Sequence, residues 1–151
     1  DEALQCVNEA IQLDPKIAMA RENKGYFLND MGIYEEAIQS FDEAIRLDPK
    51  DAIAWNGKSV ALLELGNYDE ALQCINEAIR LDPKNVDAWY NNGCALLELS
   101  KYSEAIQAFD EAIKLDSEFA DAWNNKGKAL EALGKTSEAG EAYAKAKELE
   151  L

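Results

Sequence analysis

The sequence repeats itself every 34 residues, and this period constrains the fold more than any other feature of the chain. Three tryptophans, Trp55, Trp89 and Trp123, lie one period apart. A period of this length is typical of repeat proteins, in which neighbouring repeats must stack to bury a continuous core. We therefore expect one domain over residues 1–151. It consists of a half repeat and four repeats, at 1–17, 18–51, 52–85, 86–119 and 120–151.

Each repeat has the pattern of two amphipathic helices. Apolar residues recur with the spacing that places them on one face of a helix. Gly66 stands between the two series of one repeat, where glycine can take the left-handed backbone that ends a helix. The Asp-Pro steps predict where second helices end, because proline has no amide proton and restricts the residue before it. In repeat 52–85 the two apolar series are Ala54, Trp55, Ala61, Leu62, Leu65 and Ala71, Leu72, Ile75, Ala78, Ile79.

Residues of fixed size stand at fixed positions of the repeat, counted from its first residue. Tryptophan recurs at position 4, alanine at positions 20 and 27, and glycine at position 8. This pattern resembles the tetratricopeptide repeat, and the resemblance covers the whole chain. It implies an all-α fold, a right-handed superhelical solenoid of antiparallel helix pairs. The departures from the family pattern are Arg21 in place of tryptophan, Lys58 in place of leucine, Ser59 in place of glycine and Ser117 in place of proline.

The net charge of −15 and a pI near 4.3 restrict the partners of this chain. Part of the acid has a structural explanation, because residues such as Glu36 and Asp69 stand where second helices begin and complement the helix dipole. Other acids pair with a basic residue three positions later on an exposed face, as Glu77 does with Arg80. The sequence has no basic stripe. We therefore expect neither a nucleic acid nor an anionic membrane as partner.

The residue types needed for catalysis are missing or badly placed. There is no histidine, which excludes histidine-based triads and histidine metal sites. The three cysteines form no Cys-x-x-Cys pair, and the glycines form no phosphate-binding loop. We expect no enzyme activity, metal or cofactor. Free thiols, with no signal peptide and no long apolar segment, favour a cytoplasmic protein.

Binding residues are expected on the first helix of each repeat. Positions 2, 5, 6, 9, 12 and 13 lie on one face of that helix and vary between repeats; we call this face the first-helix stripe. In the family that this chain resembles, it is the concave, ligand-facing surface. The predicted peptide-binding residues are Asn23, Tyr26, Asn56, Val60, Leu63, Tyr90, Asn91, Cys94, Leu97, Asn124, Asn125 and Lys128.

Two kinds of contact are predicted on this stripe. Asn23, Asn91 and Asn125 at position 6 either bind the backbone of an extended peptide, as an asparagine ladder does in some members of the family, or cap and solvate the helix. Leu63 and Leu97 at position 12 either anchor apolar side chains of a ligand or pack against the neighbouring repeat. Acids at positions 2 and 13 surround them. An extended or helical segment with apolar anchors and basic flanks is the ligand that these residues favour.

The cationic residues that bind acidic chaperone tails in some members of the family are absent. Positions that carry lysine or arginine there hold Asn56, Asp121 and Asn125 in repeats 52–151, and Glu22, Asp87 and Asn91 in repeats 18–119. We expect no binding of such tails, because like charges would meet.

The ends of the chain suggest self-association. Leu4, Val7 and Ile11 belong to a second helix whose first helix is missing. Either the chain is a segment of a longer array, or this end pairs between molecules and forms a homo-oligomer, which is the hypothesis taken here. In the fourth repeat, Gly140 and Lys147 replace apolar residues, which indicates a natural terminus.

The most consistent interpretation is a protein-interaction scaffold for an unidentified protein or peptide ligand. Two alternatives stay open. The chain is a regulatory or substrate-presenting segment of a larger enzyme, or it is an assembly module that associates end to end.

Overall fold

The structure is a computed structural model that describes residues 2–14 and 17–150, without the side chains at 2–4, 8, 10 and 13. Within these residues the regular secondary structure is entirely α-helical. Pro15, Lys16 and the side chains of Leu4 and Leu13 therefore lie outside this description. The helices are α1 Glu2–Leu13, α2 Ala18–Asp30, α3 Tyr34–Leu47, α4 Ala52–Glu64, α5 Tyr68–Leu81, α6 Val86–Glu98, α7 Tyr102–Leu115, α8 Ala120–Ala132 and α9 Thr136–Leu149.

The chain divides into two compact units, Asp1–Pro83 and Lys84–Leu151. In the first unit, α2 packs against α1, α3 and α4, and α4 packs against α3 and α5. In the second unit, α8 packs against α6, α7 and α9, and α6 packs against α7. The two helices of each predicted repeat therefore form a packed pair.

Alanines and glycines let the paired helices approach closely. The alanines at positions 20 and 27 of the four full repeats are buried. At position 8, a Cβ atom on Gly25 would lie 2.7 Å from the ring of Phe41, and one on Gly93 would lie 2.5 Å from the ring of Phe109. The glycines are thus required by the aromatic residues of the second helix.

Three of the four turns within helix pairs use a glycine with positive φ, as the sequence predicts. Gly66 has a φ of 76°, and the fourth turn places Ser100 in the same region with a φ of 58°. A residue with a Cβ atom is therefore accepted at this turn, although the left-handed region is unfavourable for it.

Proline is not required where a second helix ends. Asp48 before Pro49 and Asp116 before Ser117 both have extended backbone, with φ of −133° and −137°. Each aspartate accepts a hydrogen bond from the backbone amide two residues later, at 3.0 and 2.9 Å. An aspartate turn therefore follows the helix in both repeats, with proline after the aspartate in one and serine in the other.

The indole nitrogens of the tryptophans donate hydrogen bonds to the same turns. Trp55 Nε1 donates to the Pro49 carbonyl and Trp123 Nε1 donates to the Ser117 carbonyl, each at 3.1 Å. These tryptophans fix the start of a first helix on the turn that precedes it.

Candidate functional site

The first-helix stripe of the first unit lies on α2 and α4 and is only partly exposed. Asn23 is exposed, whereas Tyr26, Val60 and Leu63 are half-buried. Asn56 is buried, with 8% of its surface exposed. Little of this side chain is open to a ligand, and its contact with a peptide stays a prediction.

Two side chains of α2 in this unit are used between helices. The Tyr26 hydroxyl donates to the Ile53 carbonyl at 3.0 Å, and Asn29 Nδ2 donates to the Gly57 carbonyl at 3.2 Å. The Tyr26 ring packs edge-on against Phe41 with centroids 5.2 Å apart. Tyr26 therefore joins α2 to α4 and leaves only part of its surface for a ligand.

The interruption of the position 6 asparagines at Gly57 has a packing cause. A Cβ atom at Gly57 would lie 2.5 Å from the Phe41 ring and 3.1 Å from the Tyr26 ring. An asparagine cannot fit there without displacing both rings, so the first unit presents only Asn23 at this position.

The stripe of the second unit contains a hydrogen-bonded cluster on α6 and α8. Asn125 Nδ2 donates to the Tyr90 hydroxyl at 2.9 Å and to Cys94 Sγ at 3.7 Å. Lys128 Nζ donates to Asn125 Oδ1 at 2.9 Å. The Asn125 amide is thus already engaged at both ends, and its free capacity is one lone pair on Oδ1. Lys128 itself is exposed, and its ammonium has two further donors.

Two ionisable groups of the same cluster, Cys94 and Tyr90, are kept neutral. Burial raises the pKa of Cys94, against hydrogen bonds from Tyr90 and Asn125 that favour the thiolate. Burial also raises the pKa of Tyr90, whose ring lies 4.8 Å from that of Phe119. A thiol with a raised pKa is a poor nucleophile, so the cluster favours binding over chemistry.

The remaining stripe residues of this unit, Asn91, Leu97 and Asn124, are half-buried. Leu97 is accessible enough to contact a ligand and also sits against its neighbours. The two predicted roles of this leucine are therefore compatible.

Sequence reasoning missed two residues of the first unit. Met19 and Ile53, both at position 2 of the repeat, are 67% and 53% exposed. The same position holds Asp87 and Asp121 in the second unit, and both are exposed. Position 2 changes from apolar residues in the first two repeats to acidic residues in the last two. This change is the sequence signal that indicates Met19 and Ile53.

Two carboxyl groups meet beside these residues. Glu22 of α2 is hydrogen-bonded to Asp51, whose side chain also accepts from Ile53 N and Ala54 N at 3.0 and 3.2 Å at the start of α4. Burial, and secondly the charge of Asp51, raise the pKa of Glu22 to about 7.

Arg21, at the tryptophan position of the first repeat, lines a polar cavity of about 480 Å³ between α2 and α3. Its guanidinium lies 3.4 Å from the Glu43 carboxylate, which Arg46 also contacts at 3.2 Å. The charges of this cavity compensate each other, so it presents no preference for a charged ligand.

At the other predicted surface, Val7 and Ile11 of α1 are half-buried and the Leu4 side chain lies outside the described residues. Self-association through this end stays a prediction.

Among the described residues there is no group of three or more side chains that could hold a metal ion. No helix in this part of the chain is long and apolar enough to cross a membrane.

The family model for the tetratricopeptide repeat matches residues 1–52, 30–86, 56–117 and 90–149. The chain belongs to the tetratricopeptide repeat family. Repeats of this family stack into extended surfaces that bind proteins and peptides. No curated protein matches the sequence.

Solved structures of the family show the same fold. A crystal structure of MamA is 25% identical and has a TM-score of 0.88, over 97% of this chain and 86% of that one. MamA of Desulfovibrio magneticus RS-1, from residue 41 to its end, is 26% identical with a TM-score of 0.89, over 99% and 84%. YrrB, described as a tetratricopeptide repeat protein with an unusual peptide-binding site, is 24% identical with a TM-score of 0.81, over 98% and 76%. The predicted all-α solenoid fold is confirmed.

Proposed function

We propose that this protein is a non-enzymatic interaction module whose first-helix stripe binds an extended or helical segment of a partner, with apolar anchors and basic flanks. The observation that carries this proposal is the set of half-buried apolar residues on the stripe, Val60, Leu63 and Leu97, beside exposed acids. A framework residue of the core is covered completely, as Leu62 is at 2% exposure. Apolar residues that stay open next to acids favour a ligand with apolar and basic side chains.

Glu64 and Glu98 supply acid in both units. Each directly follows the anchor leucine, and both are exposed. Their contribution to affinity is expected to be modest and to decrease with salt, because exposed charges are screened.

The test is a selection of phage-displayed random dodecapeptides on the 151-residue chain, followed by binding of synthetic peptides. We expect an enriched motif with aliphatic and basic residues. Leu63→Glu and Leu97→Glu should each weaken a peptide that binds in the corresponding unit by about tenfold or more, because a charge replaces an apolar contact. Leu115→Glu is the matched control, since Leu115 is 38% exposed and lies outside the stripe. If the Leu63→Glu, Leu97→Glu and Leu115→Glu variants bind the selected peptides with equal affinity, the proposal is contradicted.

A further inference from the structure

Two exposed apolar residues flank the carboxyl pair of the first unit. Met19 and Glu22 are three residues apart on α2 and so share a face. Ile53 follows Asp51 by two residues, and its carbonyl accepts the hydrogen bond from Tyr26 that joins the helices at 3.0 Å. We call these five residues, Met19, Glu22, Tyr26, Asp51 and Ile53, the Met19–Ile53 patch.

The exposure of Met19 and Ile53 is a property of position 2 of the repeat. Ile53 is 53% exposed even though α2 packs against α4. A neighbouring first helix therefore does not cover this position. Aliphatic side chains that remain open beside polar groups are suited to contact an apolar side chain of a partner.

The carboxyl pair gives the patch its chemical preference. Asp51 is held in place by the two amides that it accepts from at the start of α4. Glu22 lies half-buried against it and shares a hydrogen bond with it, so one of the two carries a proton at a pH below about 7. Among the other helices packed against α2, Glu43 of α3 is paired with Arg21, and no described charge of α1 acts on Glu22. No lysine or arginine is among the described groups that act on Glu22, so an incoming cation would meet a carboxyl pair that lacks a cationic side chain on its Glu22 side.

Building on the proposed function, we propose that the Met19–Ile53 patch binds an aliphatic side chain of a partner segment together with a neighbouring lysine or arginine. The partner's cation lies between Glu22 and Asp51, and Glu22 releases its proton to solvent as the cation binds. Binding at this patch is consequently linked to pH. The chain has no histidine, so few other groups titrate near neutral pH to obscure this linkage.

The experiment uses peptides from the dodecapeptide selection that contain an aliphatic and a basic residue, measured by calorimetry at about pH 6 and about pH 8. We expect about tenfold tighter binding at the higher pH, because a proton must leave a group with a pKa of about 7. Glu22→Gln should abolish this difference, as should replacement of the peptide's basic residue by alanine. Glu35→Gln makes the same charge change at an exposed position of α3 and should preserve it.

Ile53→Ser and Met19→Ser test the apolar half of the patch. Both side chains are largely exposed, so the variants should fold and should bind the same peptide several-fold more weakly. The inference is overturned if the peptides bind in the stripe with an affinity that does not depend on pH. It is also overturned if the Glu22→Gln variant keeps the pH dependence of the wild type. Both results leave the proposed function standing. If the selection yields no binding peptide, both fail. A concentration-dependent dimer that Ile53→Ser abolishes would assign the patch to a second copy of the chain and overturn the inference as well.

Discussion

At the scale of single residues, position 8 of each repeat is matched to position 24 of the same helix pair. Gly25, Gly93 and Gly127 face the rings of Phe41, Phe109 and Tyr143. Where position 8 is Ser59, position 24 is Ile75, and both side chains are completely buried. A small side chain at position 8 is therefore accommodated where the aromatic ring is absent.

Gly93→Ala should destabilise the protein by about 2 kcal/mol, because the new Cβ atom would lie 2.5 Å from the Phe109 ring and force it to move. Gly140→Ala is the matched control, because nothing lies within 4 Å of a Cβ atom there and helix propensity alone should stabilise α9 by about 0.5 to 1 kcal/mol. Urea denaturation measures both. A Gly93→Ala variant as stable as the wild type would contradict the close contact.

The sequence predicts which residues form the core framework. It predicts only in part how far the binding residues are buried and whether they are already hydrogen-bonded. Periodicity identifies Ala71 and Ile75 as core because their spacing is repeated in every copy. Asn56 and Asn125 vary between repeats, so the sequence alone did not show that one is covered and the other already hydrogen-bonded. The engagement of Asn125 depends on Tyr90 and Cys94, the residues that stand on the neighbouring first helix α6.

At the scale of helices, ion pairs connect a first helix to the second helix of the preceding repeat. Lys58 of α4 lies 2.8 Å from Asp42 of α3, and Lys126 of α8 lies 2.6 Å from Asp110 of α7. Burial is the largest single effect and lowers the pKa of Lys58, but the hydrogen bond to Asp42 and the charges of Asp42, Cys74 and Glu70 together raise it above its ordinary value. Lys58 and Lys126 stand at the same position of their repeats, where the family has a leucine. At this position the chain thus has an ionic contact in place of an apolar one.

Lys58→Ala should lower the free energy of unfolding by about 1 to 2 kcal/mol, because the Lys58 side chain is only 13% exposed and its ion pair with Asp42 would be lost. Arg80→Ala removes an ion pair with Glu77 in which the arginine is 65% exposed, and it should change the urea midpoint very little. Equal effects of the two substitutions would show that the junction pair contributes no more than a surface pair.

The carboxyl pair between α2 and α4 predicts a pH dependence of stability. The pKa of Glu22 is raised in the folded state from 4.5 to about 7, so its contribution is complete below about pH 4.5 and is lost as the pH rises through 7. We expect the free energy of unfolding to fall by about 1 kcal/mol between about pH 5 and pH 8, a reduced value because Glu22 is partly solvated. Glu22→Gln should be flat over this range in urea denaturation. A wild-type protein that becomes more stable with rising pH would contradict the pair.

Helix positions were predicted well because each pair is bounded by a turn with its own signals. The sequence did not show that Ser100 adopts the left-handed backbone of the glycines, or that Ser117 replaces proline without changing the turn. The helices on either side impose the backbone geometry at Ser100, and the Asp116 turn imposes it at Ser117, so the expected residue type is dispensable at both positions.

At the scale of the whole molecule, the net charge of −15 opposes compaction. Raising NaCl from about 0.02 to about 0.5 M shortens the Debye length from about 20 Å to about 4 Å and should therefore raise the urea midpoint. The control is a triple variant in which exposed glutamines of three second helices become lysines, which changes the net charge from −15 to −12 without removing an acid. Its dependence on salt should be smaller, and a wild-type midpoint that falls with salt would contradict the prediction. The three positions are Gln39, Gln73 and Gln107.

The hydrogen bonds of the indole nitrogens have a practical consequence for a protein whose repeats resemble each other. Trp55 lies in one compact unit and Trp123 in the other, and each indole proton is bonded to a backbone carbonyl of the preceding turn. Indole resonances fall in a region of the proton–nitrogen NMR spectrum that backbone amides do not crowd. The loss of each signal during denaturation would report the melting of its own half of the chain, so the cooperativity between the halves becomes measurable without a label.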